Sequence, residues 1–256
     1  MEQFPDRAHV RLRSAAHGTY LYADEGGMGV SLSPQRGSLN TVWAVHRAER
    51  SSNSYVLLHS AAYGRYLALS QQHFGHARRR AVLQCRYYNN IAQKDIMWVA
   101  IRMTDWANDQ LFITNRRFGD LRMRWVVEAV PSRGLAPLFP DPAPTPCSVP
   151  LQQNPMLLRR MILYMKGDEY GNIDYESTNL LVFEGYSVFR LRDELASLLE
   201  EEHSVRITMC VWAGSHGRLT PLVVDLPRNN QTMEVVVFES WSGAAQGLQY
   251  PNVDAP

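Results

Sequence analysis

HVRLRSAAHGTYLYAD, at residues 9–24, returns at residues 55–70 as YVLLHSAAYGRYLALS. The pairs Val10/Val56, Leu12/Leu58, Ser14/Ser60, Ala15/Ala61, Ala16/Ala62, Gly18/Gly64, Tyr20/Tyr66 and Leu21/Leu67 are identical. Each copy runs on to a tryptophan in a short apolar stretch, TVWAV around Trp43 and IMWVAI around Trp98. A period of this kind implies a core assembled from copies of one unit, none of which can bury its apolar face alone. Within a copy the residues alternate, Val10, Leu12 and Ser14 to one side and Arg11 and Arg13 to the other, as in a half-buried strand. His17-Gly18 and Tyr63-Gly64 then place a residue that tolerates positive φ at a tight hairpin turn.

A third, worn copy follows. LFITNRRFGDL (residues 111–121) aligns with VLLHSAAYGRY, setting Ile113 on Leu58, Phe118 on Tyr63 and Gly119 on Gly64, and it also ends in a tryptophan strand, MRWVVEAV, at Trp125. The glycine-to-tryptophan interval is 25 residues in the first copy (18 to 43), 34 in the second (64 to 98) and 6 in the third (119 to 125). Three such copies with short turns, and no helix before residue 130, predict a mainly β fold. The expected form is a β-trefoil over residues 1–130 with a truncated third lobe, whose closure is strained, open or completed by other residues. An incomplete barrel or sandwich is the alternative.

Residues 131–155 hold eight of the fourteen prolines and read as an extended linker. Beyond it the pattern changes. LLRRMILYM (157–165) and NLLVFEG (179–185) read as strands around a turn at Gly171. Ser187 then caps a helix whose apolar face is Val188, Leu191, Leu195, Leu198 and Leu199. RITMCVWA (206–213), LVVDL (222–226) and MEVVVFE (233–239) complete a β-β-α-β-β-β order, that of an α+β β-grasp of ubiquitin-like or PB1-like type over residues 156–240. Residues 241–256 are expected to form a flexible tail.

The combination V-R-L-R-S with G-T-Y-L-Y-A and W-A-V, then ARRRAVLQC, then DLPRNNQTMEVVVFE resembles a plant family of uncharacterised proteins. Its N-terminal half is similar to the fascin, or actin-cross-linking, trefoil, and its C-terminal domain is ubiquitin-like. Members of that family carry a longer third unit with a glycine-rich Trp-Arg-Asn stretch, whereas this chain passes directly from Asp120 to Arg124. The resemblance implies a filament-binding or bundling role by analogy of fold alone.

The hydrophobic share is 45% and the charged share 20%, values of an ordinary globular chain. The net charge of +1 conceals a division. Residues 1–150 carry 18 Arg+Lys against 11 Asp+Glu (18 − 11 = +7), and residues 151–256 carry 8 against 14 (8 − 14 = −6). The stretch MEQFPDRAHVRLR (residues 1–13) is not apolar and no run reaches membrane-spanning length, so neither a leader nor a spanning helix is expected. The three cysteines, Cys85, Cys147 and Cys210, are widely spaced, so a reducing compartment is expected, the cytoplasm with the nucleus also open to it.

The densest positive cluster is Arg78, Arg79 and Arg80, and Arg116 and Arg117 sit at the third turn. With Arg11 and Arg13 they form a candidate basic patch for a protein partner such as actin. Asp168, Glu169, Asp174 and Glu176 form a candidate acidic interaction loop, with Arg159 and Arg160 as the opposite pole of a self-associating module. His9, His17, His46, His59, His73 and His76 read as scattered surface residues, and no metal site is expected. Nucleophile elbows and phosphate loops are absent from the sequence, so neither an enzyme nor a cofactor is expected. Trp106 and Trp241 stand outside the repeat pattern as candidates for stacking on a sugar, and only Trp106, within Asp105-Trp106-Ala107-Asn108-Asp109, has clustered acceptors beside it. The expected function is a non-enzymatic binding or adaptor protein, possible partners being actin or other proteins, with a carbohydrate-binding trefoil as the alternative. Nucleic acid is not an expected partner.

Overall fold

A computed structural model describes residues 4–50, 53–69, 82–86, 96–105, 108–114, 125–140, 158–201 and 203–255. The chain divides into two units. The first comprises Met1–Gly134, Ala213–Arg218 and Gln249–Pro256, and the second Leu135–Trp212 and Leu219–Leu248.

The first unit is built from β1 (His9–Ser14), β2 (Tyr20–Ala23), β3 (Val30–Ser33), β4 (Val42–Arg50), β5 (Asn53–Ser60), β6 (Tyr66–Leu69), β7 (Val82–Cys85), β8 (Val99–Asp105), β9 (Asn108–Thr114), β10 (Trp125–Val130) and β11 (Ser132–Arg133). β1 lies between β4 and β10, β4 pairs with β5, and β9 lies between β10 and β8. A bridge of two hydrogen bonds between Val56 and Trp98, 2.9 and 3.0 Å, joins β5 to the residue that leads into β8. Six strands therefore close on themselves, and the hairpins β2–β3 and β6–β7 extend from them. This is the trefoil plan, and the equivalence of its first two lobes is visible atom by atom. The amide of Gly18 donates to Ser14 and that of Gly64 to Ser60, both at 2.8 Å, with φ of 70° and 68°. The indole of Trp43 donates to the Leu21 carbonyl and that of Trp98 to the Leu67 carbonyl, equivalent residues of the repeat. The turn of the third copy, residues 115–124, lies outside the described residues.

The second unit is a five-stranded sheet of β12 (Arg159–Lys166), β13 (Asn179–Glu184), β14 (Ile207–Trp212), β15 (Leu219–Pro221) and β16 (Met233–Glu239), with α1 (Val188–Leu198) between β13 and β14. The order is β13-β12-β16-β14-β15, with β12 and β16 parallel and the other pairs antiparallel. This is the β-grasp. Ser187 caps α1, its hydroxyl accepting from the Arg190 amide, and Val188, Leu191 and Leu195 bury their part of the predicted face against Ile162, Phe183, Val235 and Val237, with Leu199 partly buried beside them and Leu198, expected on the same face, exposed. The fourth strand falls at Leu219–Pro221 rather than at 222–226. Leu222 and Leu226 bury their side chains in the same core from irregular backbone beyond that strand, the Leu222 amide donating to the Met209 carbonyl of β14 at 2.9 Å and the Leu226 amide to the Tyr186 carbonyl at 2.7 Å.

The opposite sheet face carries a second core of Met165, Cys210, Val236, Phe238 and Ala245, the last from α2 (Gly243–Gln246). Gly167 belongs to this core because a Cβ there would lie 2.7 Å from Cδ1 and 2.9 Å from Cζ of the buried Phe238 ring. Gly167→Ala is expected to cost about 1–3 kcal/mol through overpacking, read as a lowered denaturant midpoint. An unchanged midpoint would mean that the ring has room to move.

Residues 241–256, expected to form a flexible tail, instead carry α2 and β17 (Tyr250–Pro251), and β17 pairs antiparallel with β11 in the first unit. The start of the proline-rich segment is likewise structured. Ser132 and Arg133 form β11, and Phe139 packs on the core of the second unit, while residues 141–157 lie outside the described residues.

Candidate protein-binding surfaces

The basic patch does not assemble as the alternation of β1 predicts. Arg11 is fully buried, because β1 is flanked on both sides and the chain around Val253 covers it; its Nη2 donates to the Val253 carbonyl at 2.7 Å. Arg13 is half-buried and donates through Nε to Glu128 at 2.7 Å, and Glu128 also accepts from the Tyr20 hydroxyl. Neither is a free cation for a filament surface. Arg78, Arg79, Arg80, Arg116 and Arg117 lie outside the described residues.

The histidines are not scattered over the surface. His9 and His59 are buried and His46 is half-buried; His17 is exposed, and His73 and His76 lie outside the described residues. His46 and His59 flank the Tyr66 ring, at centroid distances of 5.8 and 5.3 Å. The Arg218 amide donates to the Tyr66 hydroxyl at 3.0 Å, and the same hydroxyl shares a hydrogen bond with His46 Nδ1 at 2.8 Å. Burial pulls His9 and His46 down to about 4 and His59 to about 3. These are neutral core rings. No group of metal-binding side chains occurs among the described residues. Burial also raises the Cys210 thiol to about 12, which removes it as a nucleophile.

The acidic loop is exposed, but two of its carboxylates are committed to its own turns. Asp168 accepts from the amides of Tyr170 and Asn172 and from the Asn172 side chain, and these bonds, the last foremost, hold its pKa below the usual value. Asp174 accepts from the Glu176 amide. Arg160, expected as part of the basic pole, is buried with its guanidinium on the Pro227 carbonyl and the Met233 sulfur. Arg159 remains exposed and pairs with Glu184 at 4.0 Å.

The surface that the residues do form lies beside that ion pair. On β12 and β13, Met161 stands opposite Val182 and Leu163 opposite Leu180, all on one sheet face. Met161, Leu180 and Val182 are 49, 57 and 45% exposed. Farther along the same face of β12, Met165 enters the core that α2 covers, so the covered part gives way to an open apolar stretch. β13 is the edge strand, and NLLVFE contains neither the proline nor the lysine that ordinarily blunts an edge. The sequence did carry a signal for this. RRMILYMK and NLLVFE are apolar nearly without interruption, whereas a strand with one wet face alternates.

Trp241 is 55% exposed, and Trp106 lies outside the described residues. No described helix is long and apolar enough to cross a membrane.

Comparison with known families follows the same division. A model described as a beta-trefoil domain of unknown function (DUF569) matches residues 1–106, and one described as the DUF569 associated ubiquitin-like domain matches residues 158–238. The first match stops short of the third repeat. No curated protein sequence matches the chain. Among solved structures, a Caenorhabditis elegans protein of unknown function from structural genomics is similar at 13% identity, covering 48% of this chain and 86% of its own, with a TM-score of 0.33.

Proposed function

The chain belongs to the family that joins this β-trefoil to its associated ubiquitin-like domain, and from that premise we propose a non-enzymatic adaptor that binds a protein partner through the ubiquitin-like unit. One observation supports the reading above the others: Met161, Leu180 and Val182 form an exposed apolar stretch on an unblunted edge strand. A partner strand can add to such an edge, its backbone supplying hydrogen bonds and its side chains reading the apolar row. Arg159 and Glu184 border the row and fix register more than affinity.

Crosslinking capture with the full chain tests this against the double variant L180D/V182D and the control D168N. The double variant should lose its partner, by about 100-fold in affinity if two apolar contacts are replaced by buried charge, while D168N keeps it. Equal capture by all three would refute the assignment. Actin is the protein partner that the resemblance suggests, and filament co-sedimentation over a salt series tests it. Any basic attraction there rests on Arg78, Arg79, Arg80, Arg116 and Arg117.

A further inference from the structure

We propose that the trefoil unit contains a groove for an extended peptide, which residues 250–255 occupy in cis and the same residues of a second copy of this chain can occupy in trans. The segment is held as a strand-added peptide is held. Tyr250 and Pro251 pair with Arg133 and Ser132, and the Asn252 amide donates to the Pro131 carbonyl at 2.8 Å. Two arginines far away in sequence then take its backbone: Arg11 donates to the Val253 carbonyl and Arg36 to the Ala255 carbonyl, each at 2.7 Å. The Val253 side chain packs on Val42, Ala61 and Val130. Backbone bonds give such an occupant its affinity and an apolar pocket its specificity. Pro251 fixes its own φ and biases Tyr250 to extended backbone, so the segment is partly ordered before it docks.

Its seat is incompletely satisfied. The Arg11 guanidinium is fully buried, yet its Nε and Nη1 have no hydrogen-bond partner among the described residues. Burying a guanidinium with donors unmet opposes the closed state and brings the open one nearer in free energy. The preceding helix, α2, is anchored in the second core of the other unit, so the segment is tethered independently of its groove. Each copy carries both groove and occupant, and reciprocal exchange closes as a symmetric pair.

Two full-length variants separate occupant from groove. V253D spoils the occupant and leaves the groove; R36M removes the Arg36 donor to the Ala255 carbonyl, and so spoils the groove and leaves the occupant. Mixed in equal amounts they are expected to form a heterodimer, detected by native mass spectrometry, that neither forms alone. A fluorescent peptide of residues 249–255 is expected to bind V253D at least about tenfold more tightly than R36M. Peptide binding without a heterodimer would overturn the second copy as source, and absence of both would overturn the groove. Should either variant not fold, V253S and R36A make the same cross.

Discussion

Replacing Trp43 with alanine is expected to destabilise the trefoil unit by about 4 kcal/mol, and Trp98→Ala is expected to do the same. Both side chains are fully buried, and each indole N–H satisfies one carbonyl, that of Leu21 or of Leu67. Truncation removes the ring, leaves a cavity in a closed barrel that has little freedom to collapse, and deprives a buried carbonyl of its donor, about 1 kcal/mol of the total. A loss near 4 kcal/mol is a large share of the roughly 5–15 kcal/mol that stabilises a domain. Phenylalanine at either position should recover most of the packing but not the hydrogen bond. Denaturant midpoints by circular dichroism measure all four variants. The decisive comparison is between sites, because the repeat places both tryptophans in one environment. If Trp98→Ala cost less than a third of Trp43→Ala, the equivalence of the two lobes would be a matter of sequence only.

That equivalence is legible in the sequence because it is local. Gly18 and Gly64, the hydroxyl-bearing Ser14 and Ser60, and the tryptophans all act within their own lobe, at separations a repeat preserves. The same holds for the Ser187 cap and the helix face behind it, since capping and periodicity are decided within a few residues. Arg11 is the counter-example. Alternation along β1 places it outward, and only a segment 242 residues later in the chain covers it. Arg160 misleads for a related reason, its partners Pro227 and Met233 arriving from beyond α1 and β14. The strand expected at 222–226 fails differently. Its apolar residues are needed in the core, and Leu222 and Leu226 reach it from irregular backbone held by single amide bonds to Met209 and Tyr186, while the paired strand starts three residues earlier. The open row on β12 and β13 is written in two nearly uninterrupted apolar runs, which mark strands apolar on both faces without saying what meets the second face.

Acidification is expected to unfold the trefoil unit well above the pH at which carboxylates protonate in bulk, with His9 and His59 as the cause. Burial holds their folded-state values at about 4 and about 3, against 6.5 for an unperturbed imidazole. The folded pKa is the lower one, so the unfolded chain takes up protons first. Stability is therefore whole above about pH 6.5 and is lost as pH falls from there toward the folded values. Each ring costs about 1.4 kcal/mol per pH unit within that window, hence about 3 kcal/mol per unit for the two. His46 adds in the same direction; burial lowers it first and the Arg218 charge next, against the pull of Asp6. Two units of acidification thus remove about 6 kcal/mol, which is comparable with the whole stability of a marginal domain. Urea midpoints should be flat from about pH 8 to 7 and fall steeply below about pH 6.5. The double variant H9Q/H59Q should start lower, having buried amides in place of packed rings, and should show a much shallower decline. A wild-type midpoint unchanged down to about pH 4.5 would mean that these imidazoles reach water and carry their charge without penalty.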